Sequence, residues 1–423
     1  VYGFLEDHLG CHFYSYRLRR GGHGASYYEG PGYEVVPERP TLEIEEIDDF
    51  QEPALASRGL IFRMGGFPWI LKNRAIGVGG NTSGARASGH SMYKWINPKD
   101  EQVWTHTSEG RKRVTKEGLL EAHPEFFPMN KHGKRKPDTW NMGICGTAEE
   151  LPGHLAERII ESMGDKPKDA SALLGIGQGD GFQGCHCPDC RELVHEQGSE
   201  AAPLIHMFNE TLDIVNEQYP NVEIITFCYF NSLEAPKKMK AHDNLWINVV
   251  SSARSKNAAG DQMGPIQNNP GNADYERALK EWPQVAPDRV TVWHWDTYRA
   301  EWPSMFYVQD NVRYMIDCGV YGINPQTCGG PWFYMLNWLY MKLAWNPELD
   351  GDALIRQYLA DVYSEAAAPH MWDYLQTGRK AYEAALHVPS AVRWSGWTRI
   401  TMDKIFPESV RDEMVNLMDQ AYE

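Results

Sequence analysis

The sequence has no run of eighteen apolar residues, so no segment reads as a helix that crosses a bilayer. It also has no P-loop, and "GIGQGDG" (175–181) lacks G-x-G-x-x-G, which leaves an open nucleotide-binding sheet without support. Positive charge is scarce. Lys and Arg number 41 against 57 Asp and Glu, and the net charge of −16 argues against nucleic acid as a main partner. The 8 cysteines, at 11, 145, 185, 187, 190, 228, 318 and 328, are too few and too scattered for a small disulfide scaffold. Internal repeats and low-complexity tracts are absent.

What is present is an ordinary globular balance, 42% apolar and 23% charged, over 423 residues, enough for a sizeable core. Aromatic residues are plentiful, with 15 Trp and 21 Tyr, many in polar, turn-like settings such as "YKW", "VWHWDTY", "EWPSMFY" and "GGPWFYMLNW". They suit either core packing or a cleft in which rings stack on sugar faces. Val1 is no initiator, and both ends read as helices under way, so the expectation is a piece of a longer protein.

Residues 1–54 read as the C-terminal part of a small α/β domain: a helix, a glycine-rich loop, then strand alternation in "TLEIEEID" (41–48). From residue 55 short apolar runs recur, each ending in polar residues or glycine: "GLIFRM" (59–64), "NRAIGVGG" (73–80), "FFPMN" (126–130), "TWNMGIC" (139–145), "ALLGIG" (172–177), "EIITFCYF" (223–230), "LWINVV" (245–250), "VTVWHW" (290–295) and "YGINPQ" (321–326). Helical periodicity marks 148–163, 200–219, 304–318 and 331–345, with Leu204, Met207, Phe208, Thr211, Ile214 and Val215 on one face. Strands and helices in alternation imply a parallel sheet. The number of runs predicts an α/β fold with a (β/α)8 TIM-type barrel over 55–348 and a helical C-terminal region over 349–423.

In such a barrel, function gathers where strands end and loops begin. That rule picks out Arg63, Gln178, Asp180, Tyr229, Asn231, Trp293, His294, Asp296 and Gln326, while loops offer His90 and His106. Asp180 and Asp296 each follow a strand run among glycines or aromatics. Glycosidic cleavage usually needs two carboxyl groups, one to protonate the leaving oxygen and one to stabilise or attack the anomeric centre. Aromatic surroundings raise a carboxyl pKa by desolvation, which suits the acid. The competing reading is that each Asp caps a turn or helix. The remaining residues are candidates for substrate contact, though His294 and Arg63 also suit buried hydrogen bonding. The trio Cys185, Cys187 and Cys190 is open to three readings: a structural zinc lacking a fourth ligand, a Cys187–Cys190 disulfide, or free thiols. His186, between two of them, is expected to point away. No metal is assigned to catalysis.

"YGFLEDHLGCHFY" (2–14) with "VVPERPTLEI" (35–44) resembles the end of the small α/β domain that precedes the barrel in hexosaminidase- and glucuronidase-like enzymes. Together with "HPEFFPMNKHGKR", "GQGDGFQGCHCPDC", "YPNVEIITFCY" and "KLAWNP", it resembles proteins grouped as domain of unknown function 4838, over about residues 1–375. That group includes glycoside hydrolase family 163, endo-β-N-acetylglucosaminidases acting on complex N-glycans. The resemblance implies a (β/α)8 barrel and a secreted, periplasmic or cell-surface setting. It also implies a carbohydrate substrate, no required cofactor, and a retaining mechanism in which the substrate's N-acetyl group attacks the anomeric carbon. The cysteine trio belongs to the pattern, as a clip for the loop carrying Asp180. One departure stands out: the pattern often has a glutamate after the last barrel strand, where this chain reads "GINPQTCGG" with Asn324, Pro325 and Gln326. Other readings follow from that loss: a non-catalytic glycan-binding protein, or a glycosidase for another sugar such as a uronic acid. A metal-dependent enzyme using the Cys/His cluster is the third class.

Overall fold

A computed structural model describes residues 1–20, 26–44, 46–60, 67–78, 90–96, 102–107, 110–115, 118–135, 143–179, 184–251, 264–295, 303–327, 332–386, 403 and 405–423. Six strands, β1 (Ser57–Arg58), β2 (Ala172–Gly175), β3 (Val222–Cys228), β4 (Leu245–Val250), β5 (Val290–Trp295) and β6 (Gly322–Gln326), form one sheet in the order β1-β6-β5-β4-β3-β2. The main helices are α1 (Leu151–Met163), α2 (Pro188–Gln197), α3 (Ala202–Gln218), α4 (Ala273–Val285), α5 (Val308–Asp317), α6 (Phe333–Trp345), α7 (Gly351–Val362), α8 (Ala368–Leu386) and α9 (Glu408–Tyr422). The chain forms two compact units, residues 1–83 with 257–273 and 293–423, and residues 84–256 with 274–292.

In the second unit, β2, β3 and β4 run parallel, with Leu174 beside Ile224 and Ile225 beside Trp246. All six residues of β4 are buried, the pattern of a parallel strand covered on both faces. Helix α3 buries Leu204, Ile205, Met207, Phe208, Thr211, Leu212 and Val215. Ile214, expected on that face, is 41% exposed, because the apolar stripe turns through Leu212 instead. His106 lies in a strand, Gln102–Thr107, paired antiparallel with Gly110–Thr115.

In the first unit, β1 pairs parallel with β6, and Gly322 lies so close to Ser57 that a Cβ there would meet its backbone. Arg58 is buried. Its guanidinium donates to the carbonyls of Leu55, Ala56 and Arg74 and lies 4.9 Å from the Trp345 ring centroid. Burial, reinforced by the charge of Arg74, lowers its pKa to about 10. Near the N-terminus, helix Tyr2–Asp7 precedes two antiparallel pairs, His12–Phe13 with Glu34–Val35 and Tyr16–Arg20 with Ser26–Pro31. Tyr14 packs on Trp338 and Tyr358 and donates to Asp361. Tyr307, Tyr382, Ile405, Phe406 and Met414 form a smaller apolar cluster that joins α8 to α9.

The sheet differs from the expected eight strands: six are present among the described residues. Two further segments touch its ends without becoming ladder strands. The Arg58 amide donates to the Ile76 carbonyl, and His90 forms a parallel bridge with Gly177. Five runs expected as strands are not strands where described: the described ends of "GLIFRM" (59–60) and "NRAIGVGG" (73–78) lie outside the ladders, with β1 at Ser57–Arg58 just ahead of the first, and three more take other forms. "FFPMN" carries Pro128, which removes a donor, and forms a 3-10 turn at Pro124–Phe126 and a bridge from Met129 to Arg135. The described part of "TWNMGIC", residues 143–145, is a turn seat: the Cys145 amide donates to Phe126, and Gly146 sits on the Pro203 carbonyl. "TLEIEEID" stays irregular, with Leu42, Ile44 and Ile47 exposed.

Candidate active site

In the second unit the strand ends converge on one hydrogen-bonded network. The chain leaves β2 through Gly177, whose carbonyl accepts from the Ser91 and Met92 amides, and reaches Gln178. Gln178 is fully buried. Its Nε2 donates to the Tyr229 carbonyl (3.2 Å), and its Oε1 accepts from Ser232 Oγ (2.8 Å). The Tyr229 amide in turn donates to Ser232 Oγ (3.1 Å). His90 Nδ1 lies 2.7 Å from the Gln178 carbonyl and 3.4 Å from the Tyr229 hydroxyl. Phe230 takes a left-handed φ of 52°, the local bend that lets "YFNS" close on itself beyond β3. The result is a fixed anchor at Gln178, near the end of the described segment 143–179.

Register and alternation place Asn248 on the same sheet face as Phe227 and Tyr229. Its side chain is fully buried, and neither Oδ1 nor Nδ2 has a partner. An amide kept unpaired in a parallel strand calls for a water or a ligand group.

In the first unit, Trp293 Nε1 donates to Gln326 Oε1 (2.8 Å), so β5 and β6 share a face that carries Trp293, Trp295, Asn324 and Gln326. Asn324 Nδ2 donates to Val78, while its Oδ1 is buried without a partner. His294 points the other way. Its ring sits against Tyr340 of α6, and burial pushes its pKa down to about 4. The structure therefore places His294 among helices rather than with its neighbours Trp293 and Trp295.

Gln178, Tyr229 and His90 come together, as do Trp293 and Gln326. Asn231 follows Tyr229 and is partly buried. Arg63, Asp180 and Asp296 lie outside the described residues. Strand-end reasoning missed Ser232 and Asn248. The signal for Asn248 was present, an amide in the middle of the apolar run "LWINVV".

A second constellation in the same unit involves cysteine. Cys187 caps α2, Pro188 takes its first position, and Cys190 falls in its first turn. Cys185 precedes them, and Cys145, forty residues upstream in sequence, completes a cluster of four buried thiols whose sulfurs lie within 4.8 Å of one another. Cys145 Sγ is 3.5 Å from Cys187 Sγ and 3.9 Å from Cys190 Sγ. Hydrogen bonds from Cys185 and Cys190 favour the Cys145 thiolate and hold its pKa far below the usual thiol range, and the bond to Cys145, with burial, pushes Cys185 up to about 11. The Cys187–Cys190 disulfide is absent, since both are free thiols. His186 is exposed, as expected.

A cavity of about 470 Å³ in the first unit is lined by Glu6, Asp7, Gln51, Arg74, Lys342 and Trp345, among others. It adjoins Ala54, ahead of β1, and so lies at the strand-start side. Arg74 is paired with Asp7 (2.6 Å) and Gln51 (2.9 Å), and Lys342 with Glu6, so its charges serve one another.

A family model described as Domain of unknown function (DUF4838) matches residues 28–376. No curated protein matches the sequence significantly. Among solved structures, the chain is similar to a family 115 4-O-methyl-α-glucuronidase with specificity for decorated arabinogalactans, at 11% identity and TM-score 0.47, over 92% of this chain and 53% of that one. It is also similar to a catalytic mutant of a family 42 β-galactosidase from G. stearothermophilus, at 13% identity and TM-score 0.32, over 64% and 52%. A β-galactosidase from the Antarctic haloarchaeon Halorubrum lacusprofundi matches at 12% identity and TM-score 0.33, over 64% and 54%. The chain thus spans about half the length of each of these structures.

Proposed function

The chain belongs to the DUF4838 family, and from that membership and the strand-end geometry we propose that it is a glycoside hydrolase. The observation that carries the reading is the pinned root at Gln178. Two side-chain bonds to the Tyr229–Ser232 turn, and the His90 contact to its carbonyl, fix the chain two residues before Asp180. A general acid must be held within a fraction of an ångström of its working position, and the bonds at Gln178 fix the chain just ahead of this candidate. Asp180 is assigned as the general acid, and Asp296, one residue beyond β5, as the second carboxylate. Tyr229, Asn231 and His90 supply hydrogen bonds and ring surface for a sugar. The unpaired amide of Asn248 suits a bridging water beneath that sugar.

The finer assignment is a β-N-acetylglucosaminide-type substrate cleaved with retention through its own N-acetyl group. It rests on the sequence resemblance to glycoside hydrolase family 163. In that scheme one Asp protonates the leaving oxygen while the other orients the N-acetyl group, and the acid then deprotonates the attacking water. A second reading, glycan binding without turnover, is favoured by one observation: β6 ends in buried Asn324 and Gln326, amides where the family pattern often has an acid nearby.

The test is digestion of a glycan panel with product analysis, using the wild type, Asp180→Asn and Asp296→Asn. Loss of the acid costs about a hundred- to ten-thousandfold in rate. The loss should be smallest on activated aryl glycosides, whose leaving group needs little protonation. Glycan binding without products from the wild type selects the second reading. Near-wild-type turnover by both variants removes these carboxylates from the mechanism.

A further inference from the structure

We infer that Cys145, Cys185, Cys187 and Cys190 hold one zinc ion in a closed structural site. The inference stands apart from the glycosidase reading.

Geometry decides among the states open to four thiols. A zinc ion about 2.3 Å from each sulfur of a tetrahedron sets the sulfurs about 3.8 Å apart. The Cys145 sulfur lies 3.5 and 3.9 Å from those of Cys187 and Cys190, and all four fall within 4.8 Å of one another. Disulfide sulfurs would stand at about 2.0 Å. A multi-iron cluster would spread the four sulfurs around its own inorganic core, whereas these enclose room for a single ion.

The surroundings fit thiolates bound to a cation. The Met129 amide donates to Cys185 Sγ (3.3 Å), the Cys187 amide approaches the same sulfur (3.5 Å), and Thr147 Oγ1 lies 3.1 Å from Cys190 Sγ. Such outer hydrogen bonds orient metal ligands and spread their charge. Four thiolates and one Zn²⁺ carry a net charge of −2, and the Arg135 guanidinium beside Cys145 offsets part of it. That guanidinium is itself anchored on the Glu125 and Phe127 carbonyls. On binding, the thiols release their protons to solvent and the sulfurs donate to the metal, with no change of oxidation state.

The site is closed. All four ligands are buried, His186 is exposed, and no carboxylate joins the group among the described residues. No position remains for substrate or water, which separates a structural from a catalytic zinc. The ion would tie three pieces of chain together: the Cys145 segment, the turn at Cys185 and the start of α2.

The test uses the full chain, purified without chelator. Elemental analysis should find one zinc per chain. Cys145→Ser and Cys187→Ser should lose it, while Cys318→Ser, in the other unit, should keep it. Because a ligand variant can misfold, the wild type is also exchanged with Co²⁺. The tetrathiolate predicts the strong visible bands of tetrahedral cobalt with sulfur-to-cobalt charge transfer. Chelator should lower the melting temperature, and added zinc should restore it. A zinc-free chain that takes up no cobalt, iron as the native metal, disulfides among these four cysteines, or full zinc content in Cys145→Ser would each overturn the inference.

Discussion

His294 is held inside the helix layer, its ring centroid 5.9 Å from that of Tyr340, and its pKa lies near 4 through burial. In the unfolded chain the imidazole titrates near 6.5. Between those values the unfolded chain binds a proton that the folded one does not, so stability is full above about pH 6.5 and falls as pH drops toward 4. The loss reaches about 3 kcal/mol once both states are protonated. Replacing His294 with Gln should flatten this decline. Urea denaturation of the two proteins at pH 7 and pH 4.5 measures it, and equal losses in both would assign the acid sensitivity to other groups. At this scale the sequence was informative wherever chain position carries meaning. Gln178, Tyr229, Trp293 and Gln326 stand at strand ends, and the strand runs were readable. Which face a side chain takes was harder to read. His294 sits between two tryptophans in "WHW", and only alternation along a strand of known register sends it to the helices. Cys145 escaped because a ligand forty residues away leaves no local spacing.

Among the elements, glycine positions separate close approach from open space. Gly146 rests on the Pro203 backbone at the start of α3, so a methyl group there displaces the segment that carries Cys145. Gly153, in the first turn of α1, has nothing within 4 Å of the same methyl position. Gly146→Ala should therefore cost about 1–3 kcal/mol of stability, while Gly153→Ala should add about 0.5 kcal/mol by restricting the unfolded chain. Denaturant midpoints for both decide the matter, and equal shifts would refute the distinction. The elements that were legible share a reason. Buried parallel strands read as continuous apolar runs, and α3 and α5 carry strong periodicity. Helix α2 was not legible, since only Cys190 and Gln197 of its ten residues are buried. "FFPMN" and "TLEIEEID" looked like strands by composition. Proline in one, and the lack of anything covering Leu42, Ile44 and Ile47 in the other, leave them irregular.

For the whole molecule, the balance of charge and the absence of a membrane-spanning pattern were plain from composition, and no helix among the described residues is long and apolar enough to cross a membrane. The parallel α/β plan was legible too, but among the described residues the sheet has six strands, with Ile76 and His90 touching its ends outside the ladders. The apolar cluster of Tyr307, Tyr382, Ile405, Phe406 and Met414 bears on where the protein can be cut. The family match ends at residue 376, inside α8. A chain stopped there would lose Tyr382 and everything that covers Tyr307 from α9, and would leave a raw apolar edge in water. Such a truncation is expected to aggregate on expression, while a chain ending at 423 stays monodisperse in light scattering; equal solubility would show the cluster to be dispensable. On that expectation the matched region stops short of the piece that folds cleanly, and cutting this chain to the match would open a seam along α8.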